Sequence, residues 1–220
     1  TKSLTLQIIC AVIFLVCFTI YVASAFVSGA TVFTMVFPSL SNQTAMLLFA
    51  LIIIIYTFLG GYKAVCWTDF FQGLLMFFCV IAVPSIAIGS LGGPADFFAQ
   101  VDSFNPNFLN LFVDGATNTP YTAIGIISLI AWGLGYFGQP HILIRFMGIE
   151  SPKAIKKSRR IATVWVLISL TAAVLIGVSG RMFLGDGLLV TAGNEETIYI
   201  NMVTRIFPVF IAGIFLSAIL

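Results

Sequence analysis

The feature that most constrains this chain is its succession of apolar runs, each long enough to cross a lipid bilayer. The first covers about residues 4–29. A helix rises ~1.5 Å per residue and the hydrocarbon core is ~30 Å thick, so roughly 20 consecutive apolar residues make a span. Further runs cover about 45–59, 65–88, 121–147 and 161–183, and a last one begins near 207 and continues to 220. Composition closes off the alternative of a water-soluble fold. Hydrophobic residues make up 60% of the 220 and charged residues only 8%, against ~25% charged in soluble domains. Mean hydropathy is +1.11. The sequence therefore predicts an all-α, polytopic membrane protein, a single transmembrane region with five complete spans and part of a sixth, held in a lipid bilayer.

The connecting segments fit that scheme. Pro38, Ser39, Ser41, Asn42 and Thr44 separate the first two runs, and Gly60-Gly61 followed by Lys63 reads as a tight turn at the water boundary. Residues 90–120 are rich in Gly, Pro, Asn and Asp. Their phenylalanines, Phe97, Phe98, Phe104, Phe108 and Phe112, suggest a segment lying against the membrane or the bundle. Residues 151–160 read as a basic loop, and Asp186, Asn194, Glu195 and Glu196 as a polar one. With the loops assigned to alternating sides, Lys2, Lys63, Arg145 and the 153–160 cluster share one side, which holds eight of the ten basic residues. That side is cytoplasmic by the positive-inside rule. Basic residues confined to loops and helix ends give no sign of nucleic-acid binding. Cys10, Cys17, Cys66 and Cys79 lie in or beside apolar runs without CxxC spacing and read as buried free thiols. The chain opens at Thr1 without Met and ends at Leu220 within an apolar run. A helix ending in mid-bilayer leaves its last carbonyls unpaired, so the chain is expected to be an internal part of a longer protein.

Polar and ionisable groups inside spans are costly and are functional candidates by default. The fourth span holds the densest set, Ile130-Ala-Trp-Gly-Leu-Gly-Tyr-Phe-Gly-Gln-Pro-His-Ile-Leu-Ile-Arg145. Gly133, Gly135 and Gly138 spell GxGxxG, but a dinucleotide fingerprint follows a strand and opens a helix, whereas here the surroundings are a span. A broken helix fits better. Glycines weaken the helix, and Pro140 removes the N–H that would bond the Tyr136 carbonyl. Freed backbone groups at membrane depth line cavities or meet ligands, as in the interrupted helices of transporters. Trp132, Tyr136 and Pro140, at i, i+4 and i+8, share one face. The competing reading is a Pro-kinked structural helix whose glycines allow close packing. His141 reads as a hydrogen-bonded packing residue rather than a proton relay, and Arg145 as a residue snorkelling to the interface.

Asp69 shares a face with Gln72 near the start of the third span, where a carboxylate can attract a cation. It equally reads as a helix-start carboxylate facing the positive dipole end. Tyr21 lies among Ala23, Ser24, Ala25 and Ser28, so close helix packing is its default reading and a hydroxyl lining a site the sharper one. No paired carboxylates, metal cluster or nucleophile–base set points to an enzyme.

Two segments carry a family resemblance. Tyr56-Thr-Phe-Leu-Gly-Gly-Tyr-Lys-Ala-Val-Cys-Trp-Thr-Asp-Phe-Phe-Gln-Gly73 resembles the turn and helix start of the sodium/solute symporter family. Trp132-Gly-Leu-Gly-Tyr-Phe-Gly-Gln-Pro-His-Ile-Leu-Ile-Arg-Phe-Met147 closely resembles the proline-transporting branch of that family. Phe18-Thr-Ile-Tyr-Val-Ala-Ser24 and Ile211-Ala-Gly-Ile-Phe-Leu-Ser-Ala-Ile-Leu220 extend the likeness along the chain. The resemblance implies a LeuT-like fold of two inverted five-helix repeats, with the fourth span as the sixth core helix. It implies sodium-coupled import of proline across the cell membrane, a bacterial inner membrane, with sodium as the coupling ion and no other cofactor. Trp132, Tyr136, Phe137, Gln139 and Pro140 would then belong to the proline site, with Tyr21 approaching it. Asp69 would lie on the sodium exit route and Ser217 near the ion path. The family's first core helix has no counterpart here, and the Ser/Thr pair of its sodium site is expected just beyond Leu220, so this stretch alone should not transport. The alternatives are the symporter-like module of a membrane sensor kinase, or a symporter for another solute such as a sugar or pantothenate.

Overall fold

The computed structural model describes residues 3–115, 117–185 and 197–219, without the side chains of Trp132, Phe137 and Pro140. The expected polar loop of Asp186, Asn194, Glu195 and Glu196 lies outside the described residues. Helices dominate: α1 (Leu4–Val36), α2 (Asn42–Ser90), α3 (Pro94–Phe104), α4 (Ala123–Gly135), α5 (Pro140–Met147), α6 (Pro152–Leu184), α7 (Ile198–Ile206) and α8 (Val209–Ser217). Two short antiparallel strands, β1 (Val113–Asp114) and β2 (Thr119–Pro120), pair Val113 with Pro120 and Asp114 with Thr119. Three helices, α1, α2 and α6, are long and apolar enough to cross a membrane. The chain forms two compact units, one of residues 1–76 with 213–220, the other of residues 77–212.

In the first unit, α1 is capped by the Ser3 hydroxyl, which accepts from the Leu6 N–H. It ends before Pro38, which cannot continue a helix. Ser41 then starts α2, its hydroxyl accepting the Thr44 N–H at 3.2 Å. The end of α1 and the start of α2 meet closely because Gly29 leaves room for the Phe49 ring, which occupies the space a Cβ would need. The Phe26 and Phe33 rings lie 6.2 and 5.8 Å from that of Phe49, and Ala30 and Ala45 are buried. The apolar face of α1 is otherwise open, as suits a helix solvated by lipid. The 49-residue α2 is two helical segments joined at Gly61, whose φ of 57° and ψ of −162° favour a residue without Cβ.

In the second unit, the later part of α2 and α6 are tied by stacking of Phe77 on Trp165, ring centroids 6.3 Å apart. The expected basic loop at 151–160 is instead the opening of α6. Ser151 caps it, accepting the Ala154 N–H, and Pro152 sits in the first turn, where its missing N–H costs nothing. Lys, Arg and Ala favour helix intrinsically, which the loop reading undervalued. The 90–120 segment, expected to lie against the membrane or the bundle, contains α3. Gly93-Pro94 starts it, and Phe97 and Val101, one turn apart, are buried against Val178 of α6 with Ile88, Leu91, Phe108 and Met182 around them. The Arg181 guanidinium lies 5.1 Å above the Phe104 ring, a cation–π contact. Helix α7 packs on α6 at Gly180, where a Cβ would meet Ile198 and the Met202 sulfur. All four cysteines are free, but only Cys79 is buried. Cys10, Cys17 and Cys66 are exposed on helix surfaces, because an apolar helix in lipid has no need to bury its thiols.

A candidate solute site at the interrupted helix

The segment 123–147 folds as two helices around a break. Helix α4 is capped by Thr122, whose hydroxyl accepts the Gly125 N–H at 3.1 Å. It runs to Gly135 and tightens into a single 3-10 turn, Tyr136–Gly138. Gln139 then turns extended, with φ −74° and ψ 120°. That conformation follows from Pro140, whose ring disfavours the helical region for the preceding residue. Pro140 opens α5 at its first position. The backbone ladder re-forms around these residues. The Tyr136 carbonyl, which an intact helix would pair with residue 140, accepts the Gln139 N–H at 3.4 Å. The Ile142 N–H, which an intact helix would direct to Gly138, goes to the Gln139 carbonyl at 3.1 Å, as does that of Leu143. The helix end at 135, the turn and the new N-terminus of α5 thus meet within a few residues.

A Cβ added at Gly133, Gly135 or Gly138 would meet nothing within 4 Å among the described residues. Gly29 and Gly180, by contrast, are pressed against Phe49 and against Ile198 with Met202. The same open space surrounds Gly73, Gly89, Gly177 and Gly213 in regular helical stretches, so it does not set the glycines of 133–138 apart.

The expected site residues divide between the two units. Tyr136 and Gln139 come together in the break, Tyr136 about half-exposed at 48% and Gln139 half-buried. Pro140 sets the break through its backbone. The side chains of Trp132 and Phe137, like that of Pro140, lie outside the described residues. His141 and Arg145 follow on α5, and Arg145 falls in its last turn, where a cation suits the negative dipole end. Tyr21, Asp69 and Ser217 belong to the other unit. Tyr21 is exposed on α1, its ring 5.8 Å from Phe18, and its carbonyl accepts the Ser24 hydroxyl at 2.7 Å. Asp69 is half-buried beyond the first turn after Gly61, where the helix-dipole effect has faded. That weakens the dipole reading of this carboxylate. The aromatic group of Trp67, Phe70 and Phe71 flanks it, Trp67 stacking on Phe71 at 5.8 Å. Ser217 ends α8 and donates its hydroxyl to the Ile214 carbonyl at 2.7 Å.

Two polar groups escaped the sequence reading. The Ser179 hydroxyl is buried in α6 with no hydrogen-bond partner among the described residues. Cys79 and Tyr199 are hydrogen-bonded across α2 and α7, and burial, then the neighbouring thiol, holds the Tyr199 hydroxyl above its ordinary range and so protonated. The cue for Ser179 was its place between Gly177 and Gly180. Nothing local announces Tyr199, since its partner lies far away in sequence.

The model of the sodium:solute symporter family matches residues 1–220, the whole chain. The chain belongs to the sodium:solute symporter family. Similar curated symporters include "Sodium/proline symporter 2" of Staphylococcus saprophyticus, 43% identical over 98% of this chain and 40% of the relative. "High-affinity proline transporter PutP" of Bacillus subtilis is 40% identical over 98% of this chain and 44% of its own length. "Sodium/proline symporter" of Staphylococcus aureus is 42% identical over the full chain and 41% of the relative. The chain thus spans less than half the length of these relatives. No solved structure matches it. Members of this symporter family are transporters, and with three helices long and apolar enough to cross a membrane the chain is part of a multi-pass membrane protein.

Proposed function

We propose that this chain is part of a sodium-coupled proline importer of the bacterial cell membrane, and that the break at 136–139 forms part of the proline site. The observation that carries the reading is the interrupted helix, with the half-exposed Tyr136 beside the break. The names of the relatives support the substrate and the ion. In this reading the symporter has the LeuT-like inverted-repeat fold. Helix α2 crosses the bilayer twice, turning at Gly61, and the segment 123–147 makes a further crossing as the sixth core helix. The spans at 4–29, 45–59, 65–88, 121–147 and 161–183, with the partial one at 207–220, then alternate with the basic side in the cytoplasm.

The chemistry is recognition and movement, not bond making. Proline is a zwitterion with an apolar pyrrolidine ring. Tyr136, with Trp132, Phe137 and Pro140, supplies the apolar and aromatic cover for that ring, and Tyr21 approaches from α1. Backbone groups freed at the break, with Gln139, meet the carboxylate and the ammonium, whose desolvation must be compensated by hydrogen bonds. Sodium favours an outward-facing state with a formed site, and rocking of the bundle then exposes both ligands to the cytoplasm. Asp69 attracts the ion on its way out, and Ser217 lies near its path.

The test is uptake of labelled proline by the full-length protein in cells lacking proline transport. Saturable uptake that collapses when sodium is replaced by choline is expected. Uptake indifferent to sodium, or confined to a sugar or pantothenate, would overturn the reading.

A further inference from the structure

The start of α6 carries a concentration of charge that transport does not use. Lys153, Lys156, Lys157, Arg159 and Arg160 fall within its first turns, all exposed, and none has a carboxylate partner among the described residues. On the same helix, Ala154, Lys157, Ser158, Ile161, Ala162 and Trp165 form one open face. Lys157, Ile161 and Trp165 are spaced i, i+4 and i+8, so this face has a cationic end, an aliphatic middle and an aromatic end. Trp165 is held in place by its stack on Phe77.

The length of α6 fixes the depth of these groups. Its 33 residues span ~50 Å, about 20 Å more than a hydrocarbon core. The basic residues, all before Ile161, occupy the excess at its start. Lys157 therefore sits at headgroup level, and Trp165, ~12 Å further in, lies among the upper acyl chains. A cation above, an apolar wall below and no carboxylate among the described residues to neutralise the charge match an anionic phospholipid, phosphate at the top and acyl chain along Ile161 and Trp165.

We propose that this helix face binds an anionic phospholipid of the adjoining leaflet, such as phosphatidylglycerol, with Lys157 on the phosphate and Trp165 against the upper acyl chain. The proposal rests on α6 as a membrane span and is independent of the transported solute.

The full-length protein, purified from bacterial membranes in mild detergent, is analysed by mass spectrometry for phosphatidylglycerol retained per protein. Lys157→Gln should lower the retained lipid about fivefold, the effect of one cation at a membrane surface. Arg159→Gln makes the same charge change on the opposite side of the helix and should retain the wild-type amount. Trp165→Leu keeps every charge and should also lose lipid, which covers the case in which Lys157→Gln fails to assemble. Added phosphatidylglycerol should raise the wild-type melting temperature, and phosphatidylcholine should not. Equal losses in the two charge variants, no loss in any variant, no lipid retained by the wild type, or equal stabilisation by phosphatidylcholine would each overturn the proposal.

Discussion

Gln139 shows how one side chain decides the conformation of its neighbour. Its extended backbone is set by Pro140, and the two together redirect the hydrogen bonds of Tyr136 and Ile142. Tyr136, at the end of α4, is left half-exposed beside that opening. If its ring covers the pyrrolidine, Tyr136→Ala in the full-length protein removes apolar cover worth on the order of 1 kcal/mol, at roughly 25 cal/mol per Å² over about 40 Å². The apparent affinity for proline should then fall about three- to tenfold with little change in membrane expression. The measurement is the concentration dependence of uptake normalised to surface protein, and an unchanged half-saturation would remove Tyr136 from the site. The identity of Tyr136 as a candidate was legible from its spacing to Trp132 and Pro140. How exposed it is was not, because exposure depends on what packs around the break.

Among the elements, those with a strong local signal were the easiest to anticipate. Long apolar runs mark α1, α2 and α6, and the pairs Gly60-Gly61 and Gln139-Pro140 mark backbone interruptions within longer helical stretches. Helices α3 and α7 were not anticipated, since they are short and amphipathic and their stability comes from distant partners. Phe97 is fully buried because Val178 of α6 lies against it, with Ile88, Leu91, Phe108 and Met182 around them. Phe97→Ala should therefore cost ~3–5 kcal/mol, read as a lowered melting temperature of the purified full-length protein. Gly180→Leu should cost ~1–3 kcal/mol by overpacking α6 against Ile198 and Met202, with the same readout. Pro140→Ala tests the break itself. It restores an N–H able to reach the Tyr136 carbonyl and lifts the restriction on Gln139, so a continuous helix becomes accessible. Uptake should fall at least about tenfold while the protein still reaches the membrane. Normal uptake would mean that the break does not depend on Pro140.

At the scale of the whole molecule, the family is evident from the full-length match, and the membrane setting follows from composition alone. The chain covers 40–44% of the length of the proline symporters it resembles. Composition and charge bias predicted the class of fold because lipid imposes strict demands on every residue of a span. They left open which polar groups converge, because convergence is set by helix packing between distant segments. The central claim is that solute meets the chain at the break. It is tested most directly with Gln139→Cys in the full-length protein, with Cys10, Cys17, Cys66, Cys79 and any others replaced, by measuring the rate at which the introduced thiol reacts with a membrane-permeant reagent. Proline with sodium should slow that reaction severalfold, and proline with choline should not. A transport-competent Gln139→Cys variant whose thiol reacts at the same rate with and without proline and sodium would contradict the account.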